Sequence, residues 1–230
     1  MRKRAPQEES IVRRNWTDIL KLATSGDMAT AVPAMLRLPD KLAGSKDAAE
    51  LDYRYLGRYL SGLDASTPLA RAVGHLLAGL CLYRAGDVAG SLEHFRQAAV
   101  EAADIADRPR AIFLKVAIAC GEAWALMRSA QFALAVRRAR TAVAWAEETD
   151  STWLAAHARH ALGRVLAADP KQRPRALALL DEARSGYLAP GVDDLRGAGH
   201  CLQITGRLRA ARRAAPPVSV TNREQGSDLT

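Results

Sequence analysis

One stretch constrains the fold more than any other: residues 77–98, LAGLCLYRAGDVAGSLEHFRQA. Gly79 stands one turn before Leu82, so a second helix can pack close at that point. Gly86 and Asp87 supply a tight turn and open a new helix. Val88, Ser91, Phe95 and Ala98 then recur every three or four residues, which is one face of that helix. The stretch reads as two short helices folded back on each other.

The pattern recurs along the chain. Ala123, Leu126, Ala130, Ala135, Ala139 and Ala142 take the places of Gly79, Leu82, Gly86, Ser91, Phe95 and Ala98, and Phe132 takes that of Val88. A third copy begins at Gly163 and Leu166. It is interrupted at Asp169-Pro170 and Pro174, with one extra residue, and resumes at Ala176, Leu180 and Ala183. A fourth is shorter: Gly199, Leu202, Gly206, Leu208 and Ala211. Hairpins of this kind cannot bury their apolar faces alone and need stacked neighbours.

These small residues at helix contacts, with an aromatic near the end of the second helix, resemble the tetratricopeptide repeat family. The resemblance covers about Pro68–Ala214, with a further copy at Trp16–Leu38. It implies an all-α, right-handed α-solenoid of stacked helical hairpins, about ten helices in all, acting as a protein- or ligand-binding scaffold. The composition agrees with helices: alanine and leucine dominate, and aromatic residues make up 5% of the chain.

Three parts are expected. Residues 1–9 and 215–230 are polar and patternless, and so are expected to be disordered around a repeat domain over 10–214. The first helix should run from Ile11 to Thr24. The second should carry Ala31, Met35 and Leu38, with Pro33 able to bend it and Pro39-Asp40 ending it. A helix is expected over Lys46–Leu63. Ser66 or Thr67 then suits the cap of a helix opening at Pro68.

Several chemistries lack a motif. There is no phosphate loop, no GxGxxG, no HExxH and no GxSxG, so the chain is expected not to be an enzyme and to need no cofactor. His157 and His160 lie one helical turn apart and make half a metal site, with no third ligand at helical spacing from both. Cys81, Cys120 and Cys201 are odd in number and far apart, each in an apolar helical context. They read as core thiols of a protein in the reducing cytoplasm. No apolar run is long enough to span a bilayer, and the basic N-terminus has no apolar segment behind it.

In a tetratricopeptide stack, the first helix of each hairpin lines the concave face. The resemblance therefore places a partner-binding stripe on these helices. Tyr83 follows Val73, Leu76 and Leu80, with Arg84 beside it. Trp124 and Met127 follow Ala117 and Cys120, with Arg128 beside them. His157, His160 and Arg164 come third, then Asp193, Arg196, His200 and Gln203. Such a groove suits a protein or peptide with acidic residues and an apolar anchor. Protonation of His160 and His200 below about pH 6.5 is expected to strengthen binding.

A narrower resemblance concerns the region before the DNA-binding domain of large bacterial LuxR-type transcriptional regulators. Alanine- and arginine-rich repeats lead to the basic RLRAARR stretch, then to Val220-Thr221-Asn222-Arg223-Glu224, which is similar to the Leu-Thr-x-Arg-Glu opening of that domain. The helix-turn-helix itself does not follow. This implies a regulatory or sensor module that does not read DNA bases. The alternative is a nucleic-acid-binding helical protein. The net charge of +8 is concentrated near the ends, in Arg2, Lys3, Arg4, Arg13 and Arg14, and in Arg207, Arg209, Arg212 and Arg213.

Overall fold

A computed structural model of the chain describes residues 5–43, 60 and 66–214. Among the described residues there are nine α-helices and no strand. These are α1 Ala5–Ser25, α2 Met28–Ala43, α3 Pro68–Ala85, α4 Val88–Ala103, α5 Arg108–Arg128, α6 Phe132–Glu147, α7 Thr152–Leu166, α8 Arg173–Tyr187 and α9 Leu195–Ala214. A single 3-10 turn, Pro170–Gln172, precedes α8. No helix among the described residues is long and apolar enough to cross a membrane.

Successive helices pair as α1–α2, α3–α4, α5–α6 and α7–α8, and each pair touches the next through α2–α3, α4–α5, α6–α7 and α8–α9. The helices that open the later pairs also touch one another, α3 with α5 and α5 with α7.

The turns explain the pairing. Gly86 sits at φ 81° after α3, and its N–H donates to the Tyr83 carbonyl. Asp87 then accepts from the Gly90 N–H at 2.9 Å and caps α4. Gly26 (φ 94°) and Ala130 (φ 60°) occupy the same left-handed position after α1 and α5. Thr67 caps α3 by accepting from the Ala70 N–H at 3.2 Å, with Pro68 in the first turn.

Phe95 shows why the small residues recur. It is fully buried, and a Cβ on Gly79 would stand 2.7 Å from its ring, one on Gly121 only 2.6 Å. The ring is held between its own hairpin and the next one. Gly163 plays the part of Gly79 in the third copy, against Leu180 at 2.9 Å. Cys81, Cys120 and Cys201 are buried free thiols, and burial pushes those of Cys81 and Cys201 up to about 12.

Several expectations need correction. Helix α1 begins at Ala5 and takes in residues 5–9, because a proline at its second position, Pro6, is tolerated in a first turn. Helix α2 continues through Pro33 and Pro39 to Ala43. Burial of Val32, Met35 and Leu38 offsets the proline cost: each large side chain contributes about 1.5–3 kcal/mol, against about 3 kcal/mol for an interior proline. The fourth copy is no hairpin, since α9 is continuous through Gly206. The helix expected over Lys46–Leu63 lies outside the described residues except for Leu60, which is buried. Residues 215–230 also lie outside them.

The fourth copy fails for a specific reason. Gly197, two before Gly199, meets the Tyr187 ring of the preceding helix at 2.8 Å, as Gly121 meets Phe95. Gly199 would need a following helix, and among the described residues nothing lies within 4 Å of its missing Cβ. Leu202, on the same face, is 52% exposed.

Candidate functional site

A cavity of about 660 Å³ opens where α2, α3, α5, α7, α8 and α9 converge. From α3 come Leu80, Tyr83 and Arg84. Trp124 and Arg128 come from α5, and His157, His160 and Arg164 from α7. Arg196, His200 and Gln203 come from α9. The structure thus brings ten of the eleven candidate residues around one space.

Met127 is the correction. It packs into the cluster of Leu126, Ala135, Ala139 and Leu162, not into the cavity. The stripe on α5 continues from Trp124 to the residue four on, Arg128, and the residue three on falls to the other side of the turn. Val73, Leu76, Ala117 and Cys120 are fully buried core and lie beneath the wall. At the head of α9 the wall residue is Asp194, one on from the expected Asp193. Asp193 itself has φ 46° and its side chain stays exposed.

The wall also contains residues that the stripe did not include. Trp153 precedes His157 by four residues, and Ile204 and Arg207 follow His200 and Gln203 by four, so extending the stripe one turn finds them. Leu36, Arg37 and Tyr187 come from the second helices of their pairs, which the frame excluded.

An aromatic layer forms the floor. Trp153 stacks on His157 with ring centroids 4.9 Å apart, and Trp124 meets His157 edge-on at 5.3 Å. The Tyr187 hydroxyl lies 3.1 Å from His157 Nδ1 and 3.4 Å from His160 Nδ1, so one hydroxyl serves both rings. Burial holds both imidazoles neutral, lowering the pKa of His157 to about 4 and that of His160 to about 3. This corrects the expectation that His160 charges near pH 6.5.

The charge on the wall is strongly one-sided. Among the described residues the wall carries Arg37, Arg84, Arg128, Arg164, Arg196 and Arg207 and one carboxylate, Asp194. That carboxylate is already engaged: it accepts from Arg37 Nη2 at 2.6 Å, from Trp153 Nε1 at 2.8 Å and from the Gly197 N–H at 3.0 Å. Burial alone would raise its pKa, but these donors together hold it below the ordinary value. Arg128 lies over the Tyr83 ring at 4.7 Å and donates to the Tyr83 carbonyl at 2.6 Å. Arg164 lies over the Trp124 ring at 5.7 Å, with Nη2 3.4 Å from the Tyr83 hydroxyl. Among the described residues, neither Arg128 nor Arg164 has a carboxylate partner.

Comparison with known proteins adds little. No family model matches the chain, and no curated protein matches it. The crystal structure of BtubC (BKLC) from P. vanneervenii is similar over 98% of this chain and 97% of that one, at 18% identity and a TM-score of 0.46.

Proposed function

We propose that this chain is a non-catalytic binding scaffold: a right-handed solenoid of tetratricopeptide-like hairpins whose inner cavity takes an anionic ligand with an apolar portion. One observation carries the reading. Among the described residues, six arginines and an aromatic floor share a cavity with one carboxylate, which Arg37, Trp153 and Gly197 already engage. Positive charge gathered in a partly desolvated space raises the local concentration of anions and favours their capture. Arginine suits the task because its planar fork grips a carboxylate or phosphate at two points.

Within a cell, such a scaffold would act as a regulatory or sensor module of the kind that the LuxR-type resemblance implies. The three buried thiols fit a reducing compartment such as the cytoplasm. Val220–Glu224, on which the LuxR-type reading rests, lies outside the described residues.

A second reading, nucleic-acid binding, draws on the exposed arginines Arg13 and Arg14 of α1 and Arg207 of α9. Titration of the tryptophan fluorescence separates the two. The probes are an acidic peptide with one phenylalanine, 2-naphthoate, 2-naphthyl phosphate and duplex DNA. The scaffold reading expects at least one of the first three to bind, and Arg164→Gln to weaken it. DNA binding alone, falling steeply between about 50 and 200 mM salt, favours the second reading. No binding by any of the first three overturns the first.

A further inference from the structure

The ligand class can be narrowed, an inference that rests on the scaffold reading above. We infer that the cavity is a site for a small molecule carrying an oxyanion, carboxylate or phosphate, on a planar apolar body.

Size is the first argument. About 660 Å³ lies within the range of small-molecule sites, roughly 300–1,000 Å³. The Arg37–Asp194 ion pair joins α2 to the head of α9 at the cavity wall, so the first helix pair and the last helix meet at one chamber. A chamber walled by six helices fits a compact ligand better than an extended chain.

The second argument is the fixing of the cations. A lysine-like cation on a free stem suits many partners. Here the guanidinium groups of Arg128 and Arg164 are held over the rings of Tyr83 and Trp124. Cations immobilised before binding lose less freedom on capturing an oxyanion, and their planes fix its direction. The indole rings of Trp124 and Trp153 supply the surface against which a planar body packs.

The experiment compares 2-naphthoate, 2-naphthyl phosphate and neutral 2-naphthamide on the full chain at neutral pH by titration calorimetry. At least one of the two anions should bind about tenfold or more tightly than the amide, the scale of a charge-assisted hydrogen bond. Arg164→Gln, and separately Arg128→Gln, should remove most of that preference while changing amide affinity by less than about threefold. Arg140→Gln, on the exposed face of α6, should change neither. Melting curves show that each variant is folded, and two arginine variants keep the test informative if one is not. Equal affinity for anions and amide would overturn the inference. So would binding of an acidic, phenylalanine-bearing peptide, lost in Arg164→Gln, by a protein that takes none of the naphthalene probes. In that case the scaffold reading survives and its occupant is a polypeptide. If peptide and anions all fail to bind, both readings fall.

Discussion

Arg37 and Asp194 lie 2.6 Å apart, although one belongs to the first helix pair and the other opens the last helix. Their contact is made at the cavity wall, and Asp194 holds Trp153 and the first turn of α9 at the same time. Asp194→Ala should therefore cost about 2–3 kcal/mol, from a lost cap and lost hydrogen bonds to a charged group. Asp194→Asn keeps one acceptor oxygen, enough for the cap at Gly197 but not for the Trp153 indole as well, and should cost less. Arg37→Ala should cost under about 1 kcal/mol, because Arg37 is 45% exposed. Urea unfolding of the three variants checks the order. Equal costs for Asn and Ala would mean that the carboxylate's neutral contacts contribute nothing.

Gly79 and Gly199 hold the same place in two copies of one pattern, yet only Gly79 has a helix against it. Gly79→Ala drives a methyl to 2.7 Å from the Phe95 ring and should destabilise by roughly 1–3 kcal/mol. Gly199→Ala enters open space in a helix and should stabilise by up to about 1 kcal/mol. Opposite shifts of the melting temperature are expected. A shift of the same sign would show that the packing difference between the two copies is misassigned.

Ala130 adopts φ 60°, the position held by glycine after α1 and α3. A side chain there costs about 1–2 kcal/mol, part of which glycine returns through its freer unfolded state. Ala130→Gly should raise stability by roughly 0.5–1 kcal/mol. An unchanged or lower melting temperature would contradict the turn geometry.

The sequence made the repeat frame legible because close helix packing demands small residues. Gly79, Ala123 and Gly163 mark where one helix crosses another, and the tetratricopeptide resemblance then implies a concave-face stripe at three- and four-residue spacing on the first helix of each pair. That reasoning reached Tyr83, Trp124, Arg128, His160 and Arg164. It could not reach Arg37 or Tyr187, which arrive from helices of the other set through tertiary packing alone. It misplaced Asp193 because the left-handed turn at that residue shifts the register by one. The fourth copy looked like a hairpin because glycine spacing cannot tell a turn from a glycine inside a continuous helix.

Acid should weaken the fold through the buried histidines. In the unfolded chain His157 and His160 take up protons near 6.5, whereas burial lowers their folded values to about 4 and about 3. Above 6.5 both states are neutral and the two residues contribute no pH dependence. Below it the unfolded state binds more protons, so stability falls by up to about 1.4 kcal/mol per pH unit for each histidine until the folded groups titrate. Denaturant midpoints should drop between about pH 6.5 and 4.5, and the drop should be shallower in a folded His160→Gln variant. A slope unaltered by that substitution would place the acid sensitivity elsewhere.

The most direct test of the account is the stability of Arg128→Gln/Arg164→Gln, measured by urea unfolding with and without a saturating concentration of the tighter-binding of 2-naphthoate and 2-naphthyl phosphate. If these arginines serve the ligand and not the fold, the ligand-free double variant should lie within about 1 kcal/mol of the parent, since removing like charges from one cavity relieves repulsion and offsets lost ring contacts. The parent should gain about 2.7 kcal/mol at a ligand concentration of 100 times its Kd, and the variant should gain almost nothing at that concentration. A ligand-free variant destabilised by more than about 3 kcal/mol, or one that gains as much as the parent, would contradict the assignment of this cavity as the anion site.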